Sequence, residues 1–255
     1  MPDPKIVKGD IVHAPHAPLT EYYCDEEGRR GWVGKMFDST AADYNRIETI
    51  LGLGSGSWYR GQALLRAGLQ PGMETVDVGV GTGLVARQAA KIVGDASRIT
   101  GVDPSAGMMK NAQVPAGVKL VQGTAERIPF PDNTFDFLSM GYALRHISDL
   151  SVAFAEFHRV LKPGGRLCIL EITCPEKRFQ KMLLKAYIRG VVPTLAKIAS
   201  RHGDTSVLWR YYWDTIEACA APAAVMRTLE GAGFTQVDRN LELGVFSEYR
   251  ARKAG

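Results

Sequence analysis

Residues 76–87 read VDVGVGTGLVAR. An apolar run ending at Val78 meets three glycines spaced by single residues, Gly79, Gly81 and Gly83, and Leu84-Val85-Ala86 then starts a helical pattern. A strand, a tight turn and a helix N-terminus must follow one another here, as in the opening unit of a parallel sheet with crossover helices. The remaining apolar runs fit that frame. TVDVG, RITGVD, VKLVQG, FDFLSMG and GRLCILEIT are separated by stretches long enough for crossovers, which predicts a parallel sheet covered on both faces. In DLSVAFAEFHRVL, Leu150, Phe154, Phe157 and Leu161 share one helical face, and Lys162-Pro163-Gly164-Gly165 is expected to end that helix before the next strand. TQVDRNLEL and GVFSEYRAR then read as two strands around Gly244, an antiparallel hairpin. The predicted fold class is a doubly wound, Rossmann-like α/β sheet, mostly parallel with a C-terminal antiparallel hairpin.

A chain of 255 residues lies near the upper size of a single domain. Residues 1–36 show no clear apolar period and are expected to form an arm or lid. Residues 37–255 are expected to be one domain with an inserted helical lid at about 176–216. His13 and His16, separated by Ala-Pro, cannot share a helical metal spacing and fall in the expected mobile arm. His158 reads as an ordinary, partly exposed helix residue.

Composition narrows the function. A net charge of +4 without a lysine/arginine block implies no nucleic-acid partner. Cys24, Cys168, Cys174 and Cys219 form no C-x-x-C pair and have no histidine at zinc spacing, so reduced thiols and no metal are expected. No run of about 18 apolar residues is present, and residues 1–10 carry charges and prolines, which predicts a cytoplasmic protein. Lys177 to Arg201 holds seven cations and no acid. Its alternation in FQKMLLKAYIRGVVPTLAKI reads either as helices resting on anionic lipid at the inner membrane face or as a solvated lid.

The glycine turn departs from the dinucleotide fingerprint, having G-x-G-x-G in place of G-x-G-x-x-G. Asp77 stands two residues before Gly79, where a carboxylate can accept from an ammonium group but repels a pyrophosphate. Twenty residues beyond Gly83, ITGVD ends in Asp103, which can accept two hydrogen bonds from a ribose diol. A nucleoside joined to a zwitterionic amino acid and lacking phosphates satisfies both. S-adenosylmethionine fits that description, and S-adenosylhomocysteine would be its product.

Four stretches carry a resemblance. VDVGVGTG, GVDPSAGMM, GTAERIPFPDNTFDFLSMGYALRHISD and RVLKPGGRLCILEIT together resemble the class I methyltransferases of ubiquinone and menaquinone biosynthesis, over roughly residues 25–250. The block from Arg159 to Thr173 is the most diagnostic. This resemblance implies that Pro104, Met108, Thr124, Ala125 and Gly141 meet the cofactor, with Tyr44 beside it. The sequence departs from the family pattern at Gly56, where the family has histidine, at Trp58, shifted by one, at Thr124, and at His146, where the family has asparagine.

Methylation of a ring carbon requires the adjacent phenol, of ordinary pKa about 10, to lose its proton. Arg145 and His146 follow the fourth strand at its carboxyl end and are the expected catalytic pair, Arg145 stabilising a phenolate and His146 taking the proton. Solvent-side alternatives remain for both: an Arg145–Asp149 ion pair, and a helix-start His146. Tyr142, Tyr211 and Trp32 are the expected substrate contacts. Three readings result: C-methylation of a polyprenyl benzoquinol or naphthoquinol, O- or N-methylation of a small aromatic metabolite, and a noncatalytic S-adenosylmethionine-binding module. The expected partner is an aromatic small molecule, drawn from a membrane if polyprenylated, and a homodimer is compatible with each reading.

Overall fold

The computed structural model describes residues 13–51, 55–199 and 206–255. Among the described residues seven strands form one sheet: β1 (Thr75–Val78), β2 (Ile99–Asp103), β3 (Lys119–Gln122), β4 (Phe135–Gly141), β5 (Leu161–Ile172), β6 (Phe234–Glu242) and β7 (Phe246–Lys253). Their order is β3-β2-β1-β4-β5-β7-β6. All neighbouring pairs are parallel except those made by β7, which runs antiparallel to β5 and β6. This is the mostly parallel sheet with a closing antiparallel hairpin that the sequence predicts, and the hairpin turns at Gly244, whose φ of 72° favours glycine.

β1 and β2 are buried along their whole length because helices cover both faces. Residues of α2 (Ser55–Arg66) and α3 (Leu84–Val93) pack on one face, and those of α5 (Leu150–Val160) and α9 (Pro222–Gly231) on the other. α5 ends at Val160 and β5 begins at once, so Lys162-Pro163-Gly164-Gly165 bends inside the strand rather than separating it from the helix. The bend coincides with a register shift opposite Phe135 and Phe137, and Gly164 takes φ 78°.

A third cluster lies over the carboxyl rim of the sheet. It joins α1 (Glu26–Leu51), the short α4 (Ala106–Lys110) lying beneath it, and the segment between β5 and α9. That segment comprises α6 (Arg178–Ala186), a π-helical turn (Tyr187–Val191), α7 (Val192–Ala199) and α8 (Ser206–Ala218). Tyr23, Met36, Ile188, Val192, Tyr211 and Trp213 form its centre. α1 runs continuously through residue 36, where the sequence suggests a boundary. The HAPHAP segment is not a mobile arm from residue 13 onward. Leu150 N–H donates to the His13 carbonyl at 2.6 Å, Ala220 N–H to the Pro15 carbonyl at 2.7 Å, and His16 is buried with Nε2 3.2 Å from the Arg145 carbonyl.

Candidate active site

β1 and β4 lie side by side, and the strand order reverses between them. Such a switch point leaves a crevice beyond the carboxyl ends of the strands. A cavity of about 600 Å³ opens there. Its floor is Asp77, the Gly79–Thr82 turn, Asp103-Pro104-Ser105, the Thr124–Arg127 loop and Met140 to Ala143; its roof comes from α1 and α8. The floor depends on two close backbone approaches. A Cβ on Gly79 would come 2.8 Å from Ala143 Cβ, and one on Gly141 2.6 Å from Val85.

Each half of the floor carries a carboxylate. Asp103 accepts from Gly81 N–H at 2.7 Å and Ser105 N–H at 2.8 Å; burial raises its pKa, and these two donors oppose the rise. The carboxylate of Asp38, from α1, accepts from Ser105 Oγ and from Gly107 N–H, the latter at 3.0 Å, fastening α1 over the N-terminus of α4. Asp77 accepts from Ser139 Oγ at 2.8 Å and from the Ala86 N–H. Burial nevertheless pushes its pKa up to about 7, against the pull of those donors and of nearby Arg60. The Arg60 guanidinium lies 5.3 Å from the centre of the Tyr142 ring.

The other end of the cavity is aromatic. His146 closes a 3-10 turn after β4 and lines the wall. Its ring meets Phe37 edge-on at 5.2 Å and stacks on Tyr211 at 5.7 Å. Nδ1 lies 3.4 Å from the Tyr211 hydroxyl, while Nε2 is shielded from solvent and has no hydrogen-bond partner among the described residues. Burial, then the charges of Arg145 and Arg29, hold its pKa well below the ordinary histidine value, so the ring is neutral and basic at Nε2 or Nδ1.

Of the residues predicted to meet the cofactor or substrate, Asp77, Gly79, Gly81, Asp103, Pro104, Met108, Thr124, Ala125, Gly141, Tyr142 and His146 converge on the cavity. Gly83 does not. It adopts φ 87° beneath Val114, where a Cβ would come within 2.3 Å of Val114 Cγ1. Tyr44 belongs to α1, and its side chain is outside the described residues. Arg145 requires correction: it is fully buried, ion-paired with buried Glu171, and has no place in the cavity wall. Its guanidinium lies 4.0 Å from the centre of the Tyr212 ring, which does line the cavity. The alternative Arg145–Asp149 pair is not formed either; Asp149 caps α5 through Ser151 and Val152 N–H. Tyr211 and Trp32 also need correcting, because they pack on one another at 4.8 Å behind the wall.

Sequence reasoning missed Arg29, Asp38 and Arg60 as wall residues. All come from helices that reach the site from far along the chain. For Arg60 a signal existed, a cation two residues after Trp58 in the segment that departs from the family pattern.

A family model described as the ubiE/COQ5 methyltransferase family matches residues 24–253. The chain is similar to the ubiquinone/menaquinone biosynthesis C-methyltransferase UbiE of Shewanella halifaxensis, with 28% identity over 237 residues, covering 90% of this chain and 93% of that one. In fold it resembles a Thermotoga maritima structure titled as an S-adenosylmethionine-dependent methyltransferase and possible histamine N-methyltransferase, at TM-score 0.57 and 22% identity, covering 86% of this chain and 98% of that one. A Haemonchus contortus phosphoethanolamine N-methyltransferase, solved with S-adenosylhomocysteine, matches at TM-score 0.57 and 19% identity over 78% of this chain and 53% of that one.

Proposed function

We propose, from the premise that this chain belongs to the ubiE/COQ5 methyltransferase family and is an S-adenosylmethionine-dependent methyltransferase, that it methylates a ring carbon of a polyprenyl benzoquinol or naphthoquinol. The donor set fits the cofactor. Two carboxylates flank a glycine turn on which no lysine or arginine stands to receive phosphates, and a cation, Arg60, lies near the inner carboxylate. Asp103 would hold the ribose diol and Asp77 the ammonium, with Arg60 on the side of the amino-acid carboxylate. Pro104, Met108, Thr124 and Ala125 would enclose the adenine. When bound, the cofactor supplies an electrophilic methyl group on a sulfonium.

The chain's own residues then have three tasks. Phe37, Tyr142 and Tyr212 exclude water and orient the ring beside the methyl donor. His146 accepts the phenolic proton at Nε2, making the neighbouring ring carbon nucleophilic. Arg145 is a positioning residue: paired with Glu171 and packed on Tyr212, it fixes the turn that carries His146. The observation that carries this reading is the neutral His146, its Nε2 without a hydrogen-bond partner among the described residues, in an aromatic-roofed cavity.

The test is incubation with methyl-labelled cofactor and a panel of demethylated quinols. Label on a ring carbon is the expected result. Label on oxygen or nitrogen of a small aromatic would replace this reading with an O- or N-methyltransferase, and tight cofactor binding without transfer would leave a binding module.

A further inference from the structure

α6, the π-helical turn and α7 follow one another without a break from Arg178 to Ala199. Exposed positions recur along them at helical spacing from 179 to 195, and Arg189 is the one charged residue among them. Phe179, Met182 and Leu183 are 67%, 61% and 59% exposed, and Tyr187, Val191 and Leu195 continue the line. Three cations of the same helices are tied to carboxylates of α8. Lys181 lies 2.9 Å and Lys185 3.9 Å from the Glu217 carboxylate, and Arg189 lies 3.7 Å from Asp214, all against α8. A surface helix ordinarily places its charges outward and its apolar stripe inward. Here the outward stripe is apolar as well, beyond what inward packing of Ile188 and Val192 accounts for.

The β6–β7 turn extends the stripe. Leu243 is 85% exposed, and a Cβ on its neighbour Gly244 would come 4.0 Å from Gln180 Nε2 of α6. Since β7 is antiparallel to both β5 and β6, this turn stands at the carboxyl rim of the sheet, the same rim on which the cavity opens.

We propose that this stripe and Leu243 form a docking surface for an anionic lipid bilayer, with the apolar side chains set among the headgroups. Charge selects the occupant. Lys177 and Arg178 are exposed at the head of the stripe, and residues 177–201 contain no carboxylate. A second copy would set cation against cation, whereas anionic headgroups complement them. The inference does not depend on which acceptor is methylated. Among the described residues no helix is long and apolar enough to cross a membrane, so the contact is peripheral.

The experiment is flotation of the full chain with vesicles of phosphatidylcholine and phosphatidylglycerol, or of phosphatidylcholine alone. The protein should float with the anionic vesicles at least tenfold better than with the neutral ones. The triple substitution Phe179→Ser, Leu183→Ser, Leu243→Ser should lose at least tenfold of that affinity while S-adenosylhomocysteine binding stays within twofold. Independently of that variant's folding, Leu183→Trp should show a blue shift in emission when anionic vesicles are added. No flotation, flotation unchanged by the triple substitution, or an unshifted emission would overturn the proposal. So would a wild-type dimer in equilibrium sedimentation that the triple variant dissolves, which would give the stripe to a second copy. Failure of quinol methylation leaves all of these readouts unaffected.

Discussion

At the residue scale, Asp77 and Asp103 were readable from their distance to the glycines because strand-end carboxylates need only local sequence to be placed. Their energetics were not readable, since burial depends on helices far along the chain. Asp77, raised to about 7 by burial, keeps its proton in the native state between its unfolded value of 3.8 and about 7. Stability from this group is therefore present at low pH and falls as pH rises through that window. In its proposed role Asp77 receives the cofactor's ammonium in the ionised form. Affinity for S-adenosylhomocysteine, measured by calorimetry, should weaken up to tenfold per unit below pH 7 and level off above it, and Asp77→Asn should flatten the profile. His146→Gln should lower kcat by about 10²- to 10⁴-fold, the usual span for a general base, with cofactor affinity retained. Equal kcat in that variant would remove the base. Arg145→Ala acts differently, leaving Glu171 buried and uncompensated at a cost of about 3–5 kcal/mol. Denaturant melts should record that loss, and Arg145→Met with Glu171→Met should recover most of it. Arg145 was found by sequence position, but its direction of pointing was set by Glu171, ten residues into the next strand's length, and no local pattern shows that partner.

Among the elements, the five parallel strands and the closing hairpin were legible because buried strands must be continuous apolar runs between turn residues. Helix phase over the cavity was not. Successive residues of α8 point about 100° apart, so Tyr211 faces the lid core and Tyr212 the cavity, a choice made by packing against α1 rather than by periodicity. Gly83 shows the same limit: its turn position was plain, while its contact with Val114, from the loop after α4, was not. Gly83→Ala combines a left-handed φ with a 2.3 Å clash and should destabilise the fold by about 1–3 kcal/mol, read as a lowered Tm. Val114→Ala should partly restore Gly83→Ala, since it removes the atom that is struck.

Across the whole molecule, the parallel strands and most of the cofactor half of the cavity come from residues 75–172 and are set by local motifs, whereas the acceptor half is completed by Phe37 of α1 and Tyr212 of α8. That division explains why the methyl donor site, Tyr142 and His146 were legible in sequence, while the aromatic residues supplied by α1 and α8 could not be singled out from it. It also separates two kinds of failure. Substitutions in the floor should raise the Kd for S-adenosylhomocysteine, while Phe37→Ala or Tyr212→Ala should raise KM for the quinol with cofactor affinity within about twofold; a matching loss of both would show the two halves to be one unit. The HAPHAP segment adds a constraint of its own, because His16 is held at the carbonyl of Arg145, one residue ahead of the proposed base. A proteolytic nick between residues 17 and 25, ordinarily harmless in an irregular stretch, would here loosen the anchorage of the proton acceptor from a distance and silence an enzyme whose reaction chamber had not lost a single atom.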